Sequence, residues 1–227
     1  MPSFDNAAKG VRKIFTAEIL ELISLLVTVI GSVLVAIVVA TAAISGPAVL
    51  SSLGLVIAAT VLILGGLVLG IIAFINSIVG LVQAKRDDSN YGTALACVII
   101  SLVVEVVTAI LSLVMITNPV ASEIATVLGR VADFFSVYFI LLGTSTLLAQ
   151  RGDSRMAEKG VHAFENIFIV FTFSILLRIV PIFLTGGVIE IVFLCAYAAV
   201  AIVAYIMYLS FLAGAYKRLA DKPEKAN

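Results

Sequence analysis

Two ionisable residues sit where their charge is hardest to tolerate. Glu105 is embedded in the apolar run CVIISLVVEVVTAILSL (97–113), and Arg178 in FSILLRIVPIF (173–183). A carboxylate held within lipid costs several kcal/mol on insertion scales, so an intramembrane acid marks a functional-site hypothesis by default. Both segments are expected to run outward from the same side, with depths differing by roughly 5–7 Å at 1.5 Å per residue. An arginine side chain spans that gap. Glu105 and Arg178 are therefore the candidate intramembrane polar pair, expected to face the bundle interior. The chemistry would be contact with a polar substrate or a proton. The plainer alternatives are a pair that only fixes helix register, or an Arg178 that snorkels towards Glu190 across Gly186-Gly187. Glu105 held protonated and hydrogen-bonded to a neighbouring Ser or Thr is a third.

Nothing else in the chain has the spacing of a reaction centre. The one histidine, His162, falls in an expected polar connection, and Cys97 and Cys195 lie in apolar stretches where they act as small hydrophobes. There is no P-loop, GxGxxG, HExxH or CxxC in the sequence. No catalytic residue, metal site or cofactor is expected, and an enzyme is disfavoured. Arg151-Gly152-Asp153 spells an adhesion tripeptide on the side expected to be cytoplasmic, and is treated as chance.

Small residues provide a second kind of candidate. In lipid, helices gain little from apolarity against each other, so close approach through small side chains marks their contacts. Ser24, Thr28, Ser32, Ala36 and Ala40 recur every four residues. Gly66, Gly70, Ala73, Ser77, Gly80 and Ala84 recur every three or four, with Gly66/Gly70 as a GxxxG. These are the candidate helix-packing faces. Aromatic residues gather later in the chain. Phe134, Phe135, Tyr138 and Phe139 come first, then Phe164, Phe168 and Phe171, then Tyr197, Tyr205, Tyr208 and Tyr216. They would line an apolar pocket or simply pack.

The elements that must position these residues follow from composition. Of 227 residues, 62% are hydrophobic and 12% charged, with mean hydropathy +1.23. A soluble domain carries about 25% charged residues, so the solvent for most of this chain is lipid. A spanning helix uses about 20 residues, and six of them with short connections consume the length. The expected helices cover 17–44, 50–84, 93–117, 119–150, 165–184 and 188–216. The run 19–44 is too long for a signal-peptide core and is expected as a retained helix. The fold class is all-α, a polytopic transmembrane helical bundle of about six helices arranged as three tandem hairpins. Residues 1–16 form an amphipathic interfacial segment, 17–216 the transmembrane domain, and 217–227 a charged cytoplasmic tail. The three hairpins share weak echoes: Lys9-Gly10-Val11 recurs as Lys159-Gly160-Val161, with Tyr91-Gly92-Thr93 in the matching place.

Orientation follows from the cations. Of 14 Lys and Arg, twelve (Lys9, Arg12, Lys13, Lys85, Arg86, Arg151, Arg155, Lys159, Lys217, Arg218, Lys222 and Lys225) fall on one side if six helices alternate. Only Arg130 and Arg178 do not. The positive-inside rule then places both termini in the cytoplasm, and short loops suit a bacterial plasma membrane. A net charge of +0 gives no field to recruit nucleic acid. The expected partners are the lipid bilayer and a membrane-protein partner or a second copy.

The size, six helices and inward termini are similar to the substrate-binding subunits of energy-coupling-factor vitamin transporters. In that family the first helix packs on a transmembrane partner through small residues, a role the ridge from Ser24 to Ala40 would suit. The outer connections here depart from it, since Gly46-Pro47 and Gly186-Gly187 leave little lid to close over a ligand. The expected function is a structural or accessory membrane protein acting through its helix-packing faces. The alternative is a small-molecule transporter or a membrane-embedded substrate-binding subunit of one, its substrate undefined.

Overall fold

A backbone surrounded by lipid must satisfy its own N–H and C=O groups, and long apolar runs do so as helices. The computed structural model describes residues 4–45, 49–113, 119–183 and 187–221, with side chains described over 4–41, 53–110, 124–177 and 192–221. Among the described residues there are six α-helices and no strand. They are α1 (Asp5–Ser45), α2 (Val49–Ala84), α3 (Asn90–Leu113), α4 (Pro119–Gln150), α5 (Ser154–Phe183) and α6 (Gly187–Ala220). Each is long and apolar enough to cross a membrane. The protein is an all-α membrane-spanning helical bundle.

Three boundaries differ from those expected. The amphipathic stretch 1–16 is the first part of α1, which continues unbroken from Asp5. Its apolar face (Phe4, Ala7, Val11, Ile14) is buried in protein rather than laid on a surface. No proline or polar break separates it from the apolar run, so propagation outcompetes a fresh start. The charged segment 154–163 is likewise the first part of α5 rather than a connection. Asp153 starts that helix by accepting the Met156 N–H at 3.1 Å, a side-chain N-cap. The charges in this segment are compatible with helix, and hydropathy alone missed its start. The last expected segment begins inside α6, so Lys217 and Arg218 are helical. Residues 222–227 lie outside the described residues.

The turn between α4 and α5 is short because Gly152 adopts φ 89°. The Gly152 N–H donates to the Ala149 carbonyl (2.9 Å) and the Asp153 N–H to the Leu148 carbonyl (3.0 Å). That pairing closes a Schellman motif, for which glycine carries no Cβ penalty.

The chain divides into two compact units. Unit 1 holds residues 1–12 and 80–227, and unit 2 holds residues 13–79. Within unit 1, α3 packs on α4, α4 on α5, and α5 on α6. Unit 2 consists of stretches of α1 and α2.

Candidate functional site

In unit 1 the turn between α2 and α3 secures the first turn of α1. A helix start leaves its first N–H groups without intrahelical partners. Asp87 supplies one from across the fold: its Oδ2 accepts the Ala7 N–H at 2.7 Å, and its Oδ1 accepts the Asn6 amide at 3.0 Å. The carboxylate also lies at the positive end of the helix dipole. Its neighbour Asp88 accepts the Asn90 N–H at 2.7 Å and starts α3.

Next to this clasp, Tyr91 is fully buried. Its hydroxyl lies 2.8 Å from Thr144 Oγ1, which itself donates to the Ile140 carbonyl at 2.7 Å. With the Thr144 proton committed, Tyr91 is the donor. The ring fits because residue 143 is glycine: a Cβ there would lie 3.1 Å from Tyr91 Cε2. Two more notches of this kind follow. A Cβ on Gly160 would strike Ser145 Oγ and come within 2.8 Å of the Phe211 ring, and one on Gly214 would strike the Met156 methyl.

In unit 2 the candidate packing residues divide into two groups. Ser24, Thr28, Gly66 and Gly70 are brought together. Ser24 Oγ donates to the Gly66 carbonyl at 2.7 Å. A Cβ on Gly66 would strike Thr28 Oγ1, and one on Gly70 would lie 3.2 Å from Ser24 Oγ. Ser32 and Ala36 do not join them. Both are exposed, and Ser32 bonds back to the Thr28 carbonyl within its own helix. Steps of four residues drift roughly 40° per step around a helix, while steps of seven drift only about 20°. Gly31, seven beyond Ser24, takes the contact instead, its Cβ position lying 3.1 Å from the Ala59 carbonyl.

The same spacing was present in the sequence as Gly10, Ala17, Ser24 and Gly31 on α1, and Ala59, Gly66, Ala73 and Gly80 on α2. Ala17, Ala59 and Ala73 are buried. In unit 1, a Cβ on Gly10 would meet the Gly80 carbonyl and come within 2.7 Å of Ala84 Cβ. Ser77, from the expected face, is half-buried.

The aromatic residues of α4 and α5 pack on one another. Phe134 stacks on Phe171 with centroids 4.4 Å apart, and Tyr138 lies 4.9 Å from Phe164. His162 is exposed and lies 3.0 Å from Glu165.

Of the expected polar pair, only Glu105 has a described side chain. Arg178 belongs to α5, and its side chain lies outside the described residues. Glu105 is exposed on α3, not turned inward as expected. The base at its level is a different one. A Cβ on Gly129 would lie 3.8 Å from Val104 Cγ1, which sets the adjacent Glu105 and Arg130 at one height on the packed α3–α4 hairpin. Arg130 is exposed as well. Glu105 stands fifteen residues along α3 from Asn90, about 22 Å at 1.5 Å per residue.

No protein-family model, curated protein or solved structure matches the chain. The likeness to energy-coupling-factor subunits accordingly rests on size, helix number and expected orientation. Among the described residues, no group of three or more His, Cys, Asp or Glu is placed to hold a metal ion.

Proposed function

We propose that this protein is a structural or accessory membrane protein that acts by helix–helix association, and that its partner is a second copy of the same chain. One observation carries the reading: Glu105 and Arg130 are exposed at one level of adjacent, packed helices. Charges at that depth are stabilised by pairing. A face carrying an acid beside a base is self-complementary under a two-fold axis, each acid meeting the other copy's base. Around them the exposed Val103, Val106, Val107, Val127 and Leu128 are apolar, and Asp133, one turn from Arg130 on α4, adds a second exposed carboxylate. The transport alternative drew its motive from Glu105, Arg178 and the aromatic faces of the later helices, and an exposed Glu105 gives the first of these no support. The termini are proposed to face the cytoplasm of a bacterial plasma membrane, on the strength of the Lys and Arg distribution.

The test is the association of the full chain in bilayers, followed by energy transfer between labelled copies as protein is diluted in lipid. Glu105→Arg and Arg130→Glu are each expected to weaken association at least tenfold, and the doubly exchanged chain to recover it. A chain that stays monomeric at all dilutions, or single variants that associate like the parent, would overturn the reading.

A further inference from the structure

The start of α1 and the end of α6 line an open cleft of about 580 Å³ in unit 1. Four cations line it, Lys9 and Arg12 from α1 and Lys217 and Arg218 from α6, against one carboxylate, Asp221. Two sets of basic residues more than 200 positions apart in the chain are thus gathered around one concavity. Packing beneath it holds them there. Val11, Ala215 and Leu219 are buried, and Arg151 donates from Nη1 to the Leu219 carbonyl, occupying an otherwise open acceptor at the end of α6. Arg218 is steadied from outside the cleft by Asp153, with Nε to Oδ2 at 3.8 Å.

From this geometry we infer that the α1–α6 cleft binds a phosphate-bearing anion, such as the headgroup of an anionic phospholipid or a free phosphate ester. Its volume lies within the range of small-molecule sites, about 300–1,000 Å³. Guanidinium groups match phosphate oxygens with paired N–H donors, and lysine adds point charge. The position suits either source. The uncharged run of α6 ends at Lys217 and that of α1 at Glu21, two to three turns beyond Arg12, so the cleft lies on the polar side of the spanning segments, where basic pockets between helices meet lipid headgroups. The cleft is also open rather than sealed, which leaves it accessible to a soluble phosphate ester. The inference is independent of the Glu105–Arg130 face and survives its failure.

The experiment is native mass spectrometry of the full chain in mild detergent. The probes are phosphatidylglycerol, phosphatidylcholine and soluble glycerol 3-phosphate. The comparison is between Lys9→Gln/Lys217→Gln and Lys85→Gln/Arg86→Gln. The second double variant removes the same charge from the exposed α2–α3 turn. The cleft variant is expected to lose about 25-fold in affinity, roughly fivefold per cation, and the turn variant less than about twofold. Retention of phosphatidylglycerol over phosphatidylcholine, undisturbed by glycerol 3-phosphate, assigns the site to a lipid headgroup. Binding of glycerol 3-phosphate to delipidated protein without preference between the two lipids assigns it to a free phosphate ester. Absence of both, or equal losses in the two double variants, would overturn the inference.

Discussion

The α1–α2 contacts and the α3–α6 contacts both depend on glycine, but in opposite ways. Where α1 meets α2, small residues face small residues, and what lies against each missing Cβ includes backbone: the Gly80 carbonyl and Ala84 nitrogen at Gly10, the Ala59 carbonyl at Gly31, the Ser24 carbonyl at Gly66. Among α3–α6, three glycines are notches for large side chains, Tyr91 at Gly143, Phe211 at Gly160 and Met156 at Gly214. Backbone-to-backbone approach gains from many weak contacts along a line, as lipid-embedded helices require. A notch concentrates its gain in one buried side chain. The first arrangement tolerates no added atom at its tightest point, and the second tolerates no lost one.

Removing the side chain from a notch is the strongest challenge to that contrast. Tyr91→Ala is expected to cost about 4 kcal/mol, the range for buried aromatic truncation, read as the shift in detergent-induced unfolding followed by circular dichroism. Tyr91→Phe, which keeps the ring and deletes the donor to Thr144, should cost only about 1 kcal/mol. If the two cost the same, the hydroxyl rather than the fit of the ring holds the notch. Next in size is an addition to the seam. Gly10→Val should cost about 3 kcal/mol by the same measurement, since its branches meet the Gly80 carbonyl and Ala84, which cannot rotate away. A cost below about 1 kcal/mol would show that α1 and α2 can separate freely there. The smallest effect distinguishes neighbouring glycines. Gly66→Ala must displace the Thr28 hydroxyl, whereas nothing lies within 4 Å of a Cβ on Gly65. The first is expected to cost about 1–2 kcal/mol and the second to fall within about 0.5 kcal/mol of the parent. Equal values would remove Gly66 from the seam.

Most of the fold was legible because lipid imposes one rule on every segment. Apolar runs bounded by Ser45-Gly46-Pro47, by Lys85 to Asn90 and by Asn118-Pro119 leave no alternative to spanning helices. The helix starts were less legible. Hydropathy drops before Ala17 and before Glu165, but helix continues through charged residues wherever a cap such as Asp153 lies further upstream. The packing line was half visible. Ser24, Thr28, Gly66 and Gly70 follow from small-residue spacing, yet a four-residue step is an imperfect guide to a 3.6-residue helix, and it led away to Ser32 and Ala36. The seven-residue series through Gly10 and Gly31 was available in the sequence and went unread. For Glu105 the residue type signalled importance, but direction depends on which flank of α3 is covered by α4, and single-sequence periodicity does not encode that. Arg130, three residues before Asp133, reads in the sequence as half of a local pair near the outer end of its helix. Its level beside Glu105 comes from the pairing of two helices, which only the fold supplies.

The Asp87 clasp has a consequence for the order of events as the chain is made. The first turn of α1 leaves the ribosome early, but the carboxylate that caps it lies 80 residues downstream of Ala7. At about 5–20 residues per second of synthesis, that separation is roughly 4–16 s. Through that interval the start of the first helix has no cap from Asp87. It gains one only after the second helix has been made and the chain has turned back, so the clasp closes only once the first hairpin is complete.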